Sequence, residues 1–225
     1  PVHTYGNPCR VEAFSELASK HGLKLIYDAS HCFGVTYQGN SILRWGDAAT
    51  LSFHATKLLS TVEGGAVAFR KKEDLERARR LINFGMQDDG EPGELGINAK
   101  MSEFHAAFGL AALPDMDGLI RGRLEQMRDY RELLGDMVRF PEIGPQTGWN
   151  GAYCCIITHN EQQTLRVRDA LKENQIQSRR YFRPIDYRFD RKPLNCVLCL
   201  PLLLKPDRSQ IEQIAAIVRS EVEKG

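Results

Sequence analysis

LKLIYDASHCFG, residues Leu23 to Gly34, is the stretch on which the fold turns. Four of its first five residues are apolar, enough for a short buried strand. The run stops at Asp28 and gives way to small, hydroxyl, histidine and glycine positions that suit a turn. Upstream, VEAFSELASKH from Val11 to His21 puts Phe14, Leu17 and Ala18 on one face of a helix, closed by Gly22. Downstream, Ala49 to His54 and Ala66 to Phe69 form two more short strands, separated by Lys57 and the pair Gly64-Gly65. An Arg- and Leu-rich helix over Glu73 to Asn83 follows. Helix and strand alternate as in a mostly parallel sheet covered by helices, an α/β arrangement.

Farther out, Asp88 to Gly96 is a loop with three glycines and a proline, followed by helices at Ser102–Leu113 and Asp117–Met137. Met137 to Gly151 reads as irregular. A smaller α+β unit then runs through strand Tyr153–Thr158, helix Gln162–Glu173, a loop at Ser178–Pro193, strand Cys196–Leu200 and helix Ser209–Glu223. The expected division is a large domain over 1–113, and a linking helix with a small C-terminal domain over 114–225.

The bulk numbers narrow the classes of function. Of 225 residues 42% are hydrophobic and 26% charged, the composition of an ordinary globular protein. Thirty basic residues balance 29 acidic ones, so neither nucleic acid nor an anionic membrane is an expected partner. The apolar run Leu198 to Leu204 is far too short to span a bilayer. No secretory leader is read, and a cytoplasmic protein is expected. Among six cysteines, the Cys196-Val197-Leu198-Cys199 spacing lacks the second Cys/His pair of a zinc site, so buried free thiols and no metal are expected.

Two stretches carry chemistry. Asp28 sits at the carboxyl end of a strand, where open α/β sheets bind ligands. A carboxylate there pairs with a protonated pyridine nitrogen, or simply caps the following turn. Ser52-Phe53-His54-Ala55-Thr56-Lys57, then Glu63-Gly64-Gly65, sets a lysine just past a strand among small and hydroxyl residues. Such a lysine is either an amine nucleophile or a solvated loop residue. Neither stretch decides the matter by itself.

As a pair, DASHCFG and SFHATK with EGG after them resemble the signature of the DegT/DnrJ/EryC1/StrS sugar aminotransferases, fold-type-I pyridoxal-phosphate enzymes. Pro1-Val2-His3-Thr4-Tyr5-Gly6, Gly96-Ile97-Asn98-Ala99-Lys100-Met101-Ser102-Glu103, Arg180-Tyr181-Phe182-Arg183-Pro184 and Cys199-Leu200-Pro201 extend the resemblance over nearly the whole chain. It implies the C-terminal part of a fold-type-I large domain followed by a small α+β domain. It also implies that pyridoxal 5'-phosphate is the cofactor, with Lys57 holding it covalently and moving a proton at the substrate carbon. Asp28 would bond the pyridine nitrogen, His31 would lie over the cofactor near its ring oxygen, and Ser52 would contact the phosphate. Asn98 would reach the cofactor phosphate of a neighbouring subunit, which makes the expected unit a homodimer. His54, Glu63 and Gly64 would shape the backbone around the lysine. Phe104, Ala107, Phe108 and Ala111 recur at helical spacing on one side of their helix, a face suited either to a dimer interface or to burial within the chain.

The function implied is transfer of an amino group from L-glutamate to a nucleotide-linked keto-deoxysugar. Tyr181, Phe182 and Arg180, with Arg179 and Arg183 beside them, are the expected substrate contacts. Their loop resembles that of members acting at C4 of a dTDP-linked 4-keto-6-deoxyhexose. Sugar dehydration, the related chemistry, goes with histidine in place of the lysine. The chain opens at Pro1 in mid-pattern, and the family's front section would supply a phosphate-binding turn and a ring stacked on the pyridine. A front-truncated member is expected, and the second functional expectation is a remnant that folds and associates without productive cofactor binding.

Overall fold

The computed structural model describes residues 1–182, 192–204 and 207–224. In chain order its helices and strands are α1 (Val11–His21), β1 (Ile26–Asp28), β2 (Thr36–Tyr37), β3 (Asn40–Ser41), β4 (Ala48–Ser52), β5 (Gly65–Phe69), α2 (Lys72–Leu81) and α3 (Glu103–Ala112). There follow α4 (Met116–Leu134), β6 (Thr147–Gly148), β7 (Cys154–Ile157), α5 (Glu161–Glu173), α6 (Lys192–Asn195), β8 (Val197–Leu200) and α7 (Arg208–Glu223). They fall into two compact units, one made of Pro1–Met116 with Gly144–Ala152, the other of Asp117–Ile143 with Tyr153–Gly225. The segment Gly144–Ala152, which the sequence groups with the second region, belongs to the first.

In the first unit the sheet order is β1-β4-β5, with β1 parallel to β4 and β4 antiparallel to β5. Val2 adds a parallel bridge to Asp28 on the far side of β1. The sheet is thus mixed, and its parallel strand pair, β1 with β4, leads into the two chemical stretches. Helix α1 ends where Gly22 adopts φ 60 and Leu23 N–H returns to the Ala18 carbonyl, a left-handed glycine stop. Its Val11 and Ala18 pack with Leu25, Tyr27, Ala29, Cys32, Val35, Ile42 and Ala49 into one core. Fully burying a side chain such as Ile42 is worth about 1.5–3 kcal/mol.

A second small sheet, β3-β2-β6, was not legible as strand in the sequence. Strands β2 and β3 form a hairpin whose two turn residues, Gln38 and Gly39, both have positive φ, 50 and 73. That backbone matches the twist of flanking strands and favours glycine. The third strand, β6, lies in the segment expected to be irregular, and its Thr147 and Gly148 pair with Tyr37 and Thr36.

In the second unit β7 and β8 pair antiparallel, Cys155 opposite Cys199, and bridges at Arg139 and Arg179 extend them on either side. Helices α5 and α7 pack together, burying Val167, Leu171, Ile211, Ile214 and Val218. Asn160 caps α5, and Asp207 with Gln210 forms a capping box on α7. Buried Gln126 of α4 acts as a backbone surrogate: its amide donates to Leu203 O at 2.9 Å and accepts from Leu203 N–H at 2.7 Å. The cysteines are free, and Cys32, Cys154, Cys155 and Cys199 are buried. No described helix is long and apolar enough to cross a membrane.

Candidate active site

Because β1 and β4 run parallel with Asp28 opposite Thr50, their carboxyl ends leave the sheet side by side. The turn after Asp28 and the loop after Ser52 therefore emerge from one edge, the usual location of a ligand in such sheets.

The first turn is wound tightly. Asp28 Oδ1 accepts from Ser30 N–H at 2.9 Å, an Asx turn, and Cys32 N–H returns to the Ala29 carbonyl at 2.8 Å. Burial pushes the Asp28 carboxyl up. Hydrogen bonds from Ser30 and the positive charge of Lys57 outweigh it, so the net position is below the ordinary carboxylate value. Asp28 stays ionised across the neutral range.

His31 is buried, and burial, aided by the charge of Lys57 and opposed by Asp28, lowers its pKa to about 4. Its Nδ1 accepts the Tyr5 backbone N–H at 3.1 Å, which leaves the proton of the neutral ring on Nε2.

The second stretch is a closed loop. Phe53 N–H bonds the Gly64 carbonyl, Thr61 N–H bonds the Phe53 carbonyl and Lys57 N–H bonds the His54 carbonyl, each at 2.9 Å. His54 Nδ1 accepts from Thr56 N–H at 3.2 Å, and its Nε2 lies 3.7 Å from Glu63. The ring therefore braces the turn that presents Lys57. Lys57 itself is half-buried. Burial lowers its ammonium pKa against the pull of Asp28, so a larger share is free amine than in a solvated lysine.

Asp28, His31 and Lys57 thus form one cluster: Asp28 acts on the ionisation of both His31 and Lys57, both act on Asp28, and Lys57 acts on His31. Ser52 closes β4 half-buried, its Oγ accepting from His54 N–H at 3.4 Å, which leaves its own O–H to donate. Asn98 is exposed, at an antiparallel bridge with Asn83. The group fits a pyridine aldehyde bearing a phosphate: an ionised carboxylate for a ring N–H, an amine whose charge is disfavoured, a neutral N–H donor and a hydroxyl.

The other expected substrate contacts lie in the second unit. Tyr181 and Phe182 stack at 4.9 Å, with Tyr153 edge-on to Tyr181 at 5.8 Å. Arg180 is engaged inside that unit, its guanidinium bonding Glu161 at 3.0 Å and the Asn195 carbonyl at 3.1 Å. Arg183 and Pro184 lie outside the described residues. Sequence reasoning missed Trp149 and Asn150. Asn150 is buried and donates to the carbonyls of His31 and Phe33.

Residues 1–192 match the model of the DegT/DnrJ/EryC1/StrS aminotransferase family. The chain is 39% identical to a dTDP-4-amino-4,6-dideoxy-D-glucose transaminase of Shigella dysenteriae, over 97% of this chain and 65% of the relative. It is 37% identical to a protein of the same name from Escherichia coli, over 82% of this chain and 51% of the relative. The solved structure of DesI in the presence of its TDP-sugar product superposes with a TM-score of 0.89 at 32% identity, covering 100% of this chain and 62% of DesI. The fold implied by the resemblance is the one observed, and the chain spans less than two thirds of these relatives' length.

Proposed function

Since the chain belongs to the DegT/DnrJ/EryC1/StrS aminotransferase family, we propose that its site takes part in passing an amino group from L-glutamate to C4 of a dTDP-linked 4-keto-6-deoxyhexose. The observation that carries the reading is the Asp28–His31–Lys57 cluster, with an ionised acid and a partly desolvated amine at one sheet edge. Pyridoxal phosphate is the family's cofactor, and when bound it supplies an electron sink next to the substrate carbon.

The chain's own residues divide the work. Lys57 would hold the group covalently and, once its amine is released from that bond, would move a proton at the substrate carbon, a role favoured by the lowering of its pKa through burial. Asp28, kept ionised by Ser30 and Lys57, holds the pyridine N–H. His31 donates from Nε2 and adds no charge, while the Ser52 hydroxyl donates to phosphate. Asn98 serves a second subunit's phosphate, and its exposure suits that use. Phe104 and Phe108 of α3 are 89% and 53% exposed, and Ala107 and Ala111 are exposed as well, so the first unit leaves this apolar face for the partner. In the second unit Tyr181 and Phe182 flank the sugar or its base, and Arg180 ties their loop to α5 through Glu161.

The choice of C4 draws on the loop resemblance and on the relatives named for dTDP-4-amino sugars. The test offers L-glutamate with a dTDP-4-keto-6-deoxyhexose and with a 3-keto isomer, following 2-oxoglutarate. Turnover of the 4-keto sugar that disappears in Lys57→Ala is expected. Turnover of the 3-keto sugar alone would overturn the position, and turnover of neither would overturn the activity.

A further inference from the structure

His31 is held from two directions by a segment more than a hundred residues away. Asn150, 1% exposed, donates both amide hydrogens, to His31 O at 2.9 Å and Phe33 O at 2.8 Å. Its Oδ1 accepts from Ala152 N–H at 3.0 Å, so the amide cannot flip without losing these bonds. Next to it, Trp149 Nε1–H donates to the Tyr5 carbonyl at 2.9 Å. Tyr5 sits in the left-handed region at φ 58 and ψ 21, uncommon for a residue with a side chain. That conformation turns its N–H onto His31 Nδ1 at 3.1 Å, with the two rings nearly parallel at 6.5 Å.

Gly6 completes the turn at φ 77. A Cβ there would fall 2.7 Å from Asn150 Oδ1, 3.0 Å from the His31 carbonyl and 3.3 Å from the Trp149 indole nitrogen. Only a glycine lets the three strands of chain approach this closely. Strain of this kind persists where surrounding bonds over-determine it, and it collects at functional sites.

We propose that Trp149 and Asn150 are positioning residues for the candidate site: Trp149 through Tyr5, and Asn150 through the His31 and Phe33 carbonyls, hold His31 as a neutral ring that accepts at Nδ1 and donates at Nε2. A backbone N–H cannot give way to a second donor, so protonating Nδ1 requires Tyr5 to move. Two charges face the ring, Lys57 against the imidazolium and Asp28 for it, and the backbone bond adds to the first. The group His31 serves must therefore offer an acceptor, an anionic or carbonyl oxygen. Use of that donor in catalysis rests on the aminotransferase reading, whereas the clamp stands on this chain's geometry alone.

The test is nitrogen NMR of the full chain labelled at histidine, without cofactor, with His31 assigned by its loss in His31→Gln. A bare Nδ1 and protonated Nε2 are expected at neutral pH. The ring should remain neutral at about pH 5.5, where an ordinary histidine is mostly charged. In Asn150→Ala the midpoint should rise toward the ordinary value. Trp149→Phe, which keeps an aromatic side chain but removes the indole N–H, should shift it the same way by less. A proton on Nδ1 at neutral pH, or variants that fold by circular dichroism yet leave the His31 titration unmoved, would overturn the proposal. If Asn150→Ala does not fold, Trp149→Phe decides. Borohydride trapping of added pyridoxal phosphate runs alongside. Trapping with a mobile His31 defeats only the clamp, and a clamped His31 without trapping defeats only the cofactor reading.

Discussion

His3 carries a second consequence of burial at the scale of a single residue. It has no exposed surface, stacks on Tyr27 at 4.6 Å and accepts the Cys9 N–H at Nδ1. Burial lowers its pKa to about 4. Unfolded, the ring returns to its ordinary value near 6.5, so between those values the unfolded chain binds a proton that the folded one refuses. Stability must then fall as pH drops through that window, by on the order of 3 kcal/mol at full extent. Asp28, whose carboxyl lies below the ordinary range, adds its own loss only at lower pH. Urea midpoints between about pH 7 and pH 4.5 should slope down with acid, and His3→Asn, which keeps an acceptor near Nδ1, should flatten the slope. Equal slopes in both proteins would show that His3 titrates normally. Asp28, His31, Ser52 and Lys57 were readable because each lies within a few residues of a strand end. Asn150 was not, since its partners are 119 and 117 residues away and nothing in its neighbours announces them.

Among the elements, α3 is the one whose surface most needs explaining. Its mean character is apolar, yet within the first unit Gly109 is its buried residue, where a Cβ would come 2.6 Å from the Thr61 methyl. Thr61 belongs to the Lys57 loop, so α3 is pressed against the loop on one side. On the other it shows Phe104, Phe108 and Leu110 to solvent. If that face meets a second copy, Phe104→Arg with Phe108→Glu should lower self-association at least tenfold by sedimentation and leave the helical circular dichroism unchanged. Identical sedimentation of the two proteins would assign the face to something other than a second copy. Helix positions were legible because their apolar spacing is local: α1 ends where Gly22 predicts, and α7, expected from Ser209, begins at Arg208. The sheet β3-β2-β6 escaped because its strands are two residues each, too short for any alternation to register.

For the whole molecule, the alternation of helix and strand foretold an α/β unit followed by a smaller one, and the structure divides the chain into two compact units. The return of Gly144–Ala152 to the first unit was beyond reach of pattern, because it depends on pairing with Tyr37 and on the His31 clamp. The proposed cofactor site lies at the edge where β1 and β4 end, around Lys57. The most direct measurement is to add pyridoxal phosphate, reduce with borohydride, digest and map the labelled peptide by mass spectrometry. One label on the peptide containing Lys57, lost in Lys57→Ala and weakened in Asp28→Asn, is the predicted result. A label scattered over several surface lysines, or retained equally in Lys57→Ala, would contradict it.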